Sequence, residues 1–179
     1  MTGDMSFSSD TTQQGIIPRA ISDILIKAHS MKKSGWSEIN ITVSIAELYN
    51  EDIKDLLSKN TSNSNSTTRI KINKINSRVV VSGLTCTTID TTDCNRGLDQ
   101  FKTLLEKSFT NRTTASTGMN ESSSRSHLIV MIEIAGRHSD GMTIMQGALR
   151  LCDLAGSERL DRTGTLHDTT RYIYQLIHS

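Results

Sequence analysis

Aromatic side chains are scarce in this sequence, at 4% of 179 residues, and hydrophobic residues of all kinds reach only 35%. Both fractions are low for a compact fold, yet not low enough for disorder to prevail, and the length suffices for one domain with a real core. Cysteine is sparse too. Cys86, Cys94 and Cys152 form no C-x-x-C pair, and no clustered histidines accompany them. That argues against a metal centre or a disulfide framework and for a reducing compartment. The formal charge of +1 gives no argument for nucleic acid as a partner, although a local basic patch could still form a docking surface. Long apolar runs are missing: the longest, residues 128–132, is too short to span a bilayer, and the N-terminus has no apolar h-region. A soluble, cytosolic protein that does not use a membrane is expected. Sequons such as Asn40-Ile41-Thr42 and Asn111-Arg112-Thr113 are then coincidences of an Asn- and Thr-rich chain.

What is present has order. Residues 1–14 are polar and aperiodic, and read as a flexible segment. Gly15-Ile16-Ile17-Pro18 opens a helix in which Ile17, Ile21, Ile24, Leu25 and Ala28 recur at helical spacing, ending at Ser34-Gly35. From Ile39 to Leu48 the pattern alternates: Ile39, Ile41, Val43 and Ile45 share one face and polar residues the other, which predicts a strand. Residues 47–57 are expected to leave that strand as a short helical piece. Residues 58–68 are low-complexity and polar, hence a surface loop. Residues 69–89 predict two or three short strands broken at Ser82-Gly83, and residues 93–109 a helix through Leu98, Phe101, Leu104 and Leu105. A polar loop over 111–126 leads to two further strands, 127–135 and 143–154, apolar at their centres as in a covered sheet. Interleaved helices and strands give an α/β fold, with helices on both faces of a mixed sheet.

Chemistry concentrates in two stretches. Asn120 to His127 reads N-E-S-S-S-R-S-H, and Asp153 to Glu158 reads D-L-A-G-S-E. Asp153 ends an apolar strand, where open α/β sheets bind ligands and where nucleotide-hydrolysing enzymes hold Mg²⁺. Gly156 follows at a position whose backbone N–H can face a phosphate because no side chain blocks it. D-x-x-G alone is better explained by an ordinary glycine turn. The hydroxyls of Ser122, Ser123, Ser124 and Ser126 suit phosphate and metal, and Arg125 can pair with a carboxylate. Ser126-His127 as a hydrolase nucleophile and base is disfavoured, since neighbours in a strand point to opposite faces.

N-E-S-S-S-R-S-H followed by D-L-A-G-S-E-R is similar to the switch pair of the kinesin motor family. Residues 43–57, containing E-L-Y-N-E-D-I-K-D-L-L, resemble that family's E-[IL]-Y-N-E-x-I-x-D-L-L strand. Gly15-Ile16-Ile17-Pro18-Arg19-Ala20, Val81-Ser82-Gly83-Leu84 and Asn111-Arg112 through Asn120 also fall in family order, so the likeness covers residues 15–164. It implies a three-layer P-loop NTPase-like core whose substrate is ATP with Mg²⁺ and whose partners are microtubules, in the cytoplasm on the cytoskeleton. By the same resemblance Asn120 and Ser123 would approach the terminal phosphate and Ser124 would serve Mg²⁺ or its waters. Arg125 and Glu158 would form the pair that closes the site, Asp153 would hold the metal through water, and Gly156 would sense the γ-phosphate. The chemistry would be in-line attack of water, helped by positioning and electrostatics.

One companion motif is absent: no G-x-x-x-x-G-K-[ST] occurs anywhere in the 179 residues. Met1-Thr2-Gly3 looks like the end of the stretch that follows that loop in the family, and residues 165–179 lack the family's R-L-K-E-A and I-N-K-S-L. The expectation is therefore a partial motor core, truncated at both ends, marginally stable and inactive alone. The alternative is a non-enzymatic remnant that binds tubulin or a partner motor chain.

Overall fold

The computed structural model describes residues 14–49, 52–58, 71–75, 78–114 and 126–155. The expected flexible N-terminal segment, most of the low-complexity loop and the divergent tail lie outside them. Two compact units are formed, one from residues 1–43, 87–106 and 131–151, the other from 44–86, 107–130 and 152–179.

In the first unit, helix α1 (Ile16–Lys33) begins after Gly15 and places Pro18 in its first turn, where a missing N–H costs nothing. Ile17, Ile21, Leu25 and Ala28 form its buried stripe, as the spacing predicts, while Ile24 is only half-buried. The helix ends where the Ser34 N–H bonds the Met31 carbonyl and Gly35 takes a left-handed φ of 92°. A side chain at Gly35 would also strike the imidazole of His138. Strand β1 (Trp36–Tyr49) starts with the predicted alternation: Ile39, Ile41 and Val43 are buried, Asn40 is exposed and Thr42 half-buried. Its inner face carries core residues, and the unit also contains β5 (Thr87–Ile89) and the start of α2 (Cys94–Thr114). Strand β5 pairs antiparallel with β1, Ile41 opposite Ile89. Helices α1 and α2 touch where the Cys94 thiol donates to the Leu25 carbonyl and Gly97 lies under Leu25. Thr91 joins them to the sheet, accepting from Lys32 Nζ and donating to the Ile39 carbonyl.

The second unit holds the rest of β1, where the pattern changes. From Val43 to Leu48 every residue is buried, so this half of the strand is covered on both faces and takes Ser44 and Glu47 inside with it. The expected helical piece over 47–57 is instead a hairpin. Strand β2 (Asp52–Asp55) pairs antiparallel with β1, Tyr49 opposite Asp52 and Ala46 opposite Asp55. The Leu56 N–H continues the ladder to the Ile45 carbonyl. The Asp55 carboxylate then ends the strand by accepting from the amides of Leu57, Ser58 and Thr85. Strands β3 (Lys71–Ile75) and β4 (Arg78–Ser82) form a separate antiparallel pair.

The main sheet is mixed and ordered β2-β1-β6-β7, with β5 also on β1. Strand β6 (His127–His138) is buried from His127 to Ile132, as a covered strand should be. Strand β7 (Ile144–Asp153) differs from the expectation: its residues are exposed or half-buried. Helix α2 runs on to Thr114, past the predicted end at Phe109, because its buried stripe Phe101, Leu105 and Ser108 continues to Arg112.

Candidate functional site

Glu47 is an acid at a position that continues the apolar face Ile39, Ile41, Val43, Ile45 of β1, and Arg112 is a base that continues the apolar stripe of α2. Each charge alone would be costly to bury. The fold brings them together: Arg112 Nε donates to Glu47 Oε1 at 3.2 Å, with the two residues 8% and 5% exposed. Ser126, at 1% exposure, completes the group. Arg112 Nη2 donates to both the Ser126 carbonyl and its Oγ at 3.0 Å, and the Ser126 hydroxyl donates to Glu47 Oε1 at 2.6 Å. Among the described residues no buried side-chain nitrogen or oxygen lacks a partner.

His127, the first residue of β6, is buried beside this group. Its Nδ1 accepts the Ala155 N–H at 3.0 Å, which requires the neutral ring with its proton on Nε2. Desolvation first, and the Arg112 charge second, push its pKa below the ordinary 6.5 and favour that form. The bond ties the start of β6 to the end of β7. The root of N-E-S-S-S-R-S-H, at Ser126-His127, is therefore held to the root of D-L-A-G-S-E, at Asp153 to Ala155. Ser126 and His127 do not make a nucleophile and base, since the serine proton goes to Glu47 and His127 Nδ1 is occupied.

Of the residues expected in the site, Asp153 is described: it is the last residue of β7 and half-buried. Asn120, Ser123, Ser124, Arg125, Gly156 and Glu158 lie outside the described residues. Among those described, no three His, Cys, Asp or Glu side chains converge as a ligand set. A single carboxylate at a strand end fits Mg²⁺, which keeps several waters and takes its remaining ligands from phosphates. A groove of about 260 Å³ beside the β6–β7 hairpin, lined by Glu38, Asn40, Gly136, Arg137, Met145 and Gln146 among others, contains no residue of either motif. Sequence reasoning missed the roles of Glu47, Arg112 and Ser126. The signal for Glu47 was an acid in register with four apolar residues.

Comparison with known proteins places these motifs in context. The family profile described as the kinesin motor domain matches residues 1–175. Kinesin-like protein KIN-14M of Arabidopsis thaliana is 36% identical over 156 residues, covering 87% of this chain and 21% of that protein. Carboxy-terminal kinesin 2 of Xenopus laevis is 34% identical, with 91% of this chain and 24% of that protein covered. The kinesin heavy chain of Caenorhabditis elegans is 36% identical over 87% of this chain and 17% of its own length. The chain thus spans about a fifth of these relatives. A solved structure of a fast kinesin, described for its ATPase mechanism and interactions with microtubules, superposes with a TM-score of 0.70 at 28% identity, covering 98% of this chain and 46% of that one.

Proposed function

Because the chain belongs to the kinesin motor domain family, we propose that it is the nucleotide-sensing part of an ATP-driven motor that moves on microtubules in the cytoplasm. The observation that carries this reading is the His127–Ala155 hydrogen bond, which joins the roots of the two motif loops at one end of the sheet. Loops rooted side by side can respond together to one phosphate group.

In this reading Asn120 and Ser123 bind the terminal phosphate of ATP, and the Gly156 N–H detects it. Asp153 and the Ser124 hydroxyl hold Mg²⁺, which when bound neutralises charge on the phosphate oxygens. Arg125 pairs with Glu158 to close the loops and orient water for in-line attack. The 179 residues contain no G-x-x-x-x-G-K-[ST], so by themselves they bind ATP weakly and do not turn it over. Tight binding needs a phosphate-gripping loop from elsewhere. The proposed attachment to the cytoskeleton follows the family; no described helix is long and apolar enough to cross a membrane.

The test is to sequence the transcript across the Met1 codon and to assay the encoded protein for ATP hydrolysis with and without microtubules. An in-frame G-x-x-x-x-G-K-T and microtubule-stimulated turnover are expected, with Arg125→Ala lowering kcat by roughly 100-fold. A protein that carries the loop and still does not hydrolyse ATP would sink the proposal. Stops immediately before Met1, with tubulin binding and no turnover, would favour the non-enzymatic remnant, for which the missing loop speaks.

A further inference from the structure

We infer that Arg112 is a positioning residue for Ser126-His127, the described stem that follows residues 115–125, acting through Glu47 and Ser126; the inference rests on the nucleotide-sensing role proposed above. Arg112 sits in the last turns of α2, just before the loop, and its guanidinium holds Ser126, the first residue after it. One side chain thus joins the last turns of α2 to the residue before β6. The contact to the Ser126 carbonyl holds the backbone at Ser126. Glu47 sets the orientation of the planar guanidinium through Nε and takes the Ser126 proton, so hydroxyl, carboxylate and guanidinium each have one compatible donor or acceptor assignment. On the far side of Ser126, the His127–Ala155 bond passes that placement to the residue before Gly156.

Stability alone does not account for such a group. A buried ion pair replaced by apolar residues of similar volume often leaves a protein as stable as before. What the apolar pair could not do is aim two hydrogen bonds at Ser126. A lysine could not either, since an ammonium lacks the fork that meets Nε and Nη2 partners at once.

These two features separate positioning from packing. In the native protein that carries residues 1–179, Arg112→Lys and the double variant Glu47→Met/Arg112→Met are compared with the unsubstituted chain. The double variant is expected to unfold within a few degrees of the parent. In both variants the Ala155 amide is expected to exchange its hydrogen at least 10-fold faster, while Ile129 and Val130 keep their protection. The kcat for ATP is expected to fall at least 10-fold, with less than a 3-fold change in KM. Parent-like Ala155 exchange or parent-like kcat in a well-folded double variant would overturn the inference. If the parent protein shows no ATP turnover, the proposed function fails instead, and the Ala155 exchange rate alone decides whether Arg112 sets the stem.

Discussion

His127 accepts the backbone amide of Ala155, and this bond needs an imidazole without charge. Burial and the neighbouring Arg112 guanidinium both lower its pKa from 6.5. The unfolded chain therefore takes up this proton more readily than the folded one, and stability rises with pH across that interval. The contribution is complete above about pH 6.5 and is lost as pH falls through the lowered value. Urea midpoints measured from pH 8 to pH 5 are expected to drop in the parent and to flatten in His127→Gln. Equal slopes in the two proteins would refute the assignment.

At the acid end, Asp90 and Asp140 act in the same direction from the surface. Asp90 is held at about 2 chiefly by the hydroxyl and amide of Thr92, and Asp140 at about 2 chiefly by the hydroxyl and amide of Thr143. Their native pKa lies below the ordinary 3.8, so their contribution is present above it and disappears as pH falls towards 2. Asp140→Asn is expected to weaken the pH dependence of the midpoint between 4 and 2. An unchanged acid limb would show that the β6–β7 turn does not depend on the carboxylate.

Gly97 lies in α2, where alanine is ordinarily favoured by about 1 kcal/mol. Here a Cβ would run into the Asp90 carbonyl and come within 3.0 Å of the Leu25 methyl. Gly97→Ala is therefore expected to destabilise by about 1–3 kcal/mol, the range for overpacking. Gly147→Ala, in strand β7, is the control for a site with room, since a Cβ there meets nothing within 4 Å. A thermal midpoint for Gly97→Ala at or above that of the parent would contradict the packing described.

Asp153 ends β7 next to the tied loop stems. If it holds Mg²⁺ as proposed, Asp153→Asn raises the Mg²⁺ concentration required for half-maximal ATP turnover by about 10-fold or more. The thermal midpoint without nucleotide is expected to move by no more than a few degrees. A shift in midpoint with no change in the Mg²⁺ requirement would place Asp153 in the fold and not in the chemistry.

The sequence made some of this plain and hid the rest for physical reasons. Helix α1 was readable because its partners lie along one stripe with a glycine stop. The first half of β1 was readable because one of its faces is wet. The second half was not, since a strand covered on both faces loses its alternation. Residues 47–57 carry apolar residues at spacings that fit a helix, yet pairing with β1 decided their form. Asp153 ends an apolar strand, as its sequence neighbours suggested, while most of the two motifs lies outside the described residues. The Glu47–Arg112–Ser126 group was not foreseen because it joins positions 65 and 79 residues apart, and no local pattern encodes such a meeting.

The Asp55 carboxylate carries one more consequence. With Oδ1 on the amides of Leu57 and Ser58 and Oδ2 on the amide of Thr85, it clasps both ends of the intervening chain. Doubling the length of a flexible segment between fixed ends adds only about 0.6 kcal/mol to the cost of closing it. A change in the length of the chain between Ser58 and Thr85 therefore costs little beside the contacts that set the β1–β2 register. One carboxylate thus lets the register beside Glu47 be decided at Asp55 and its three amide partners.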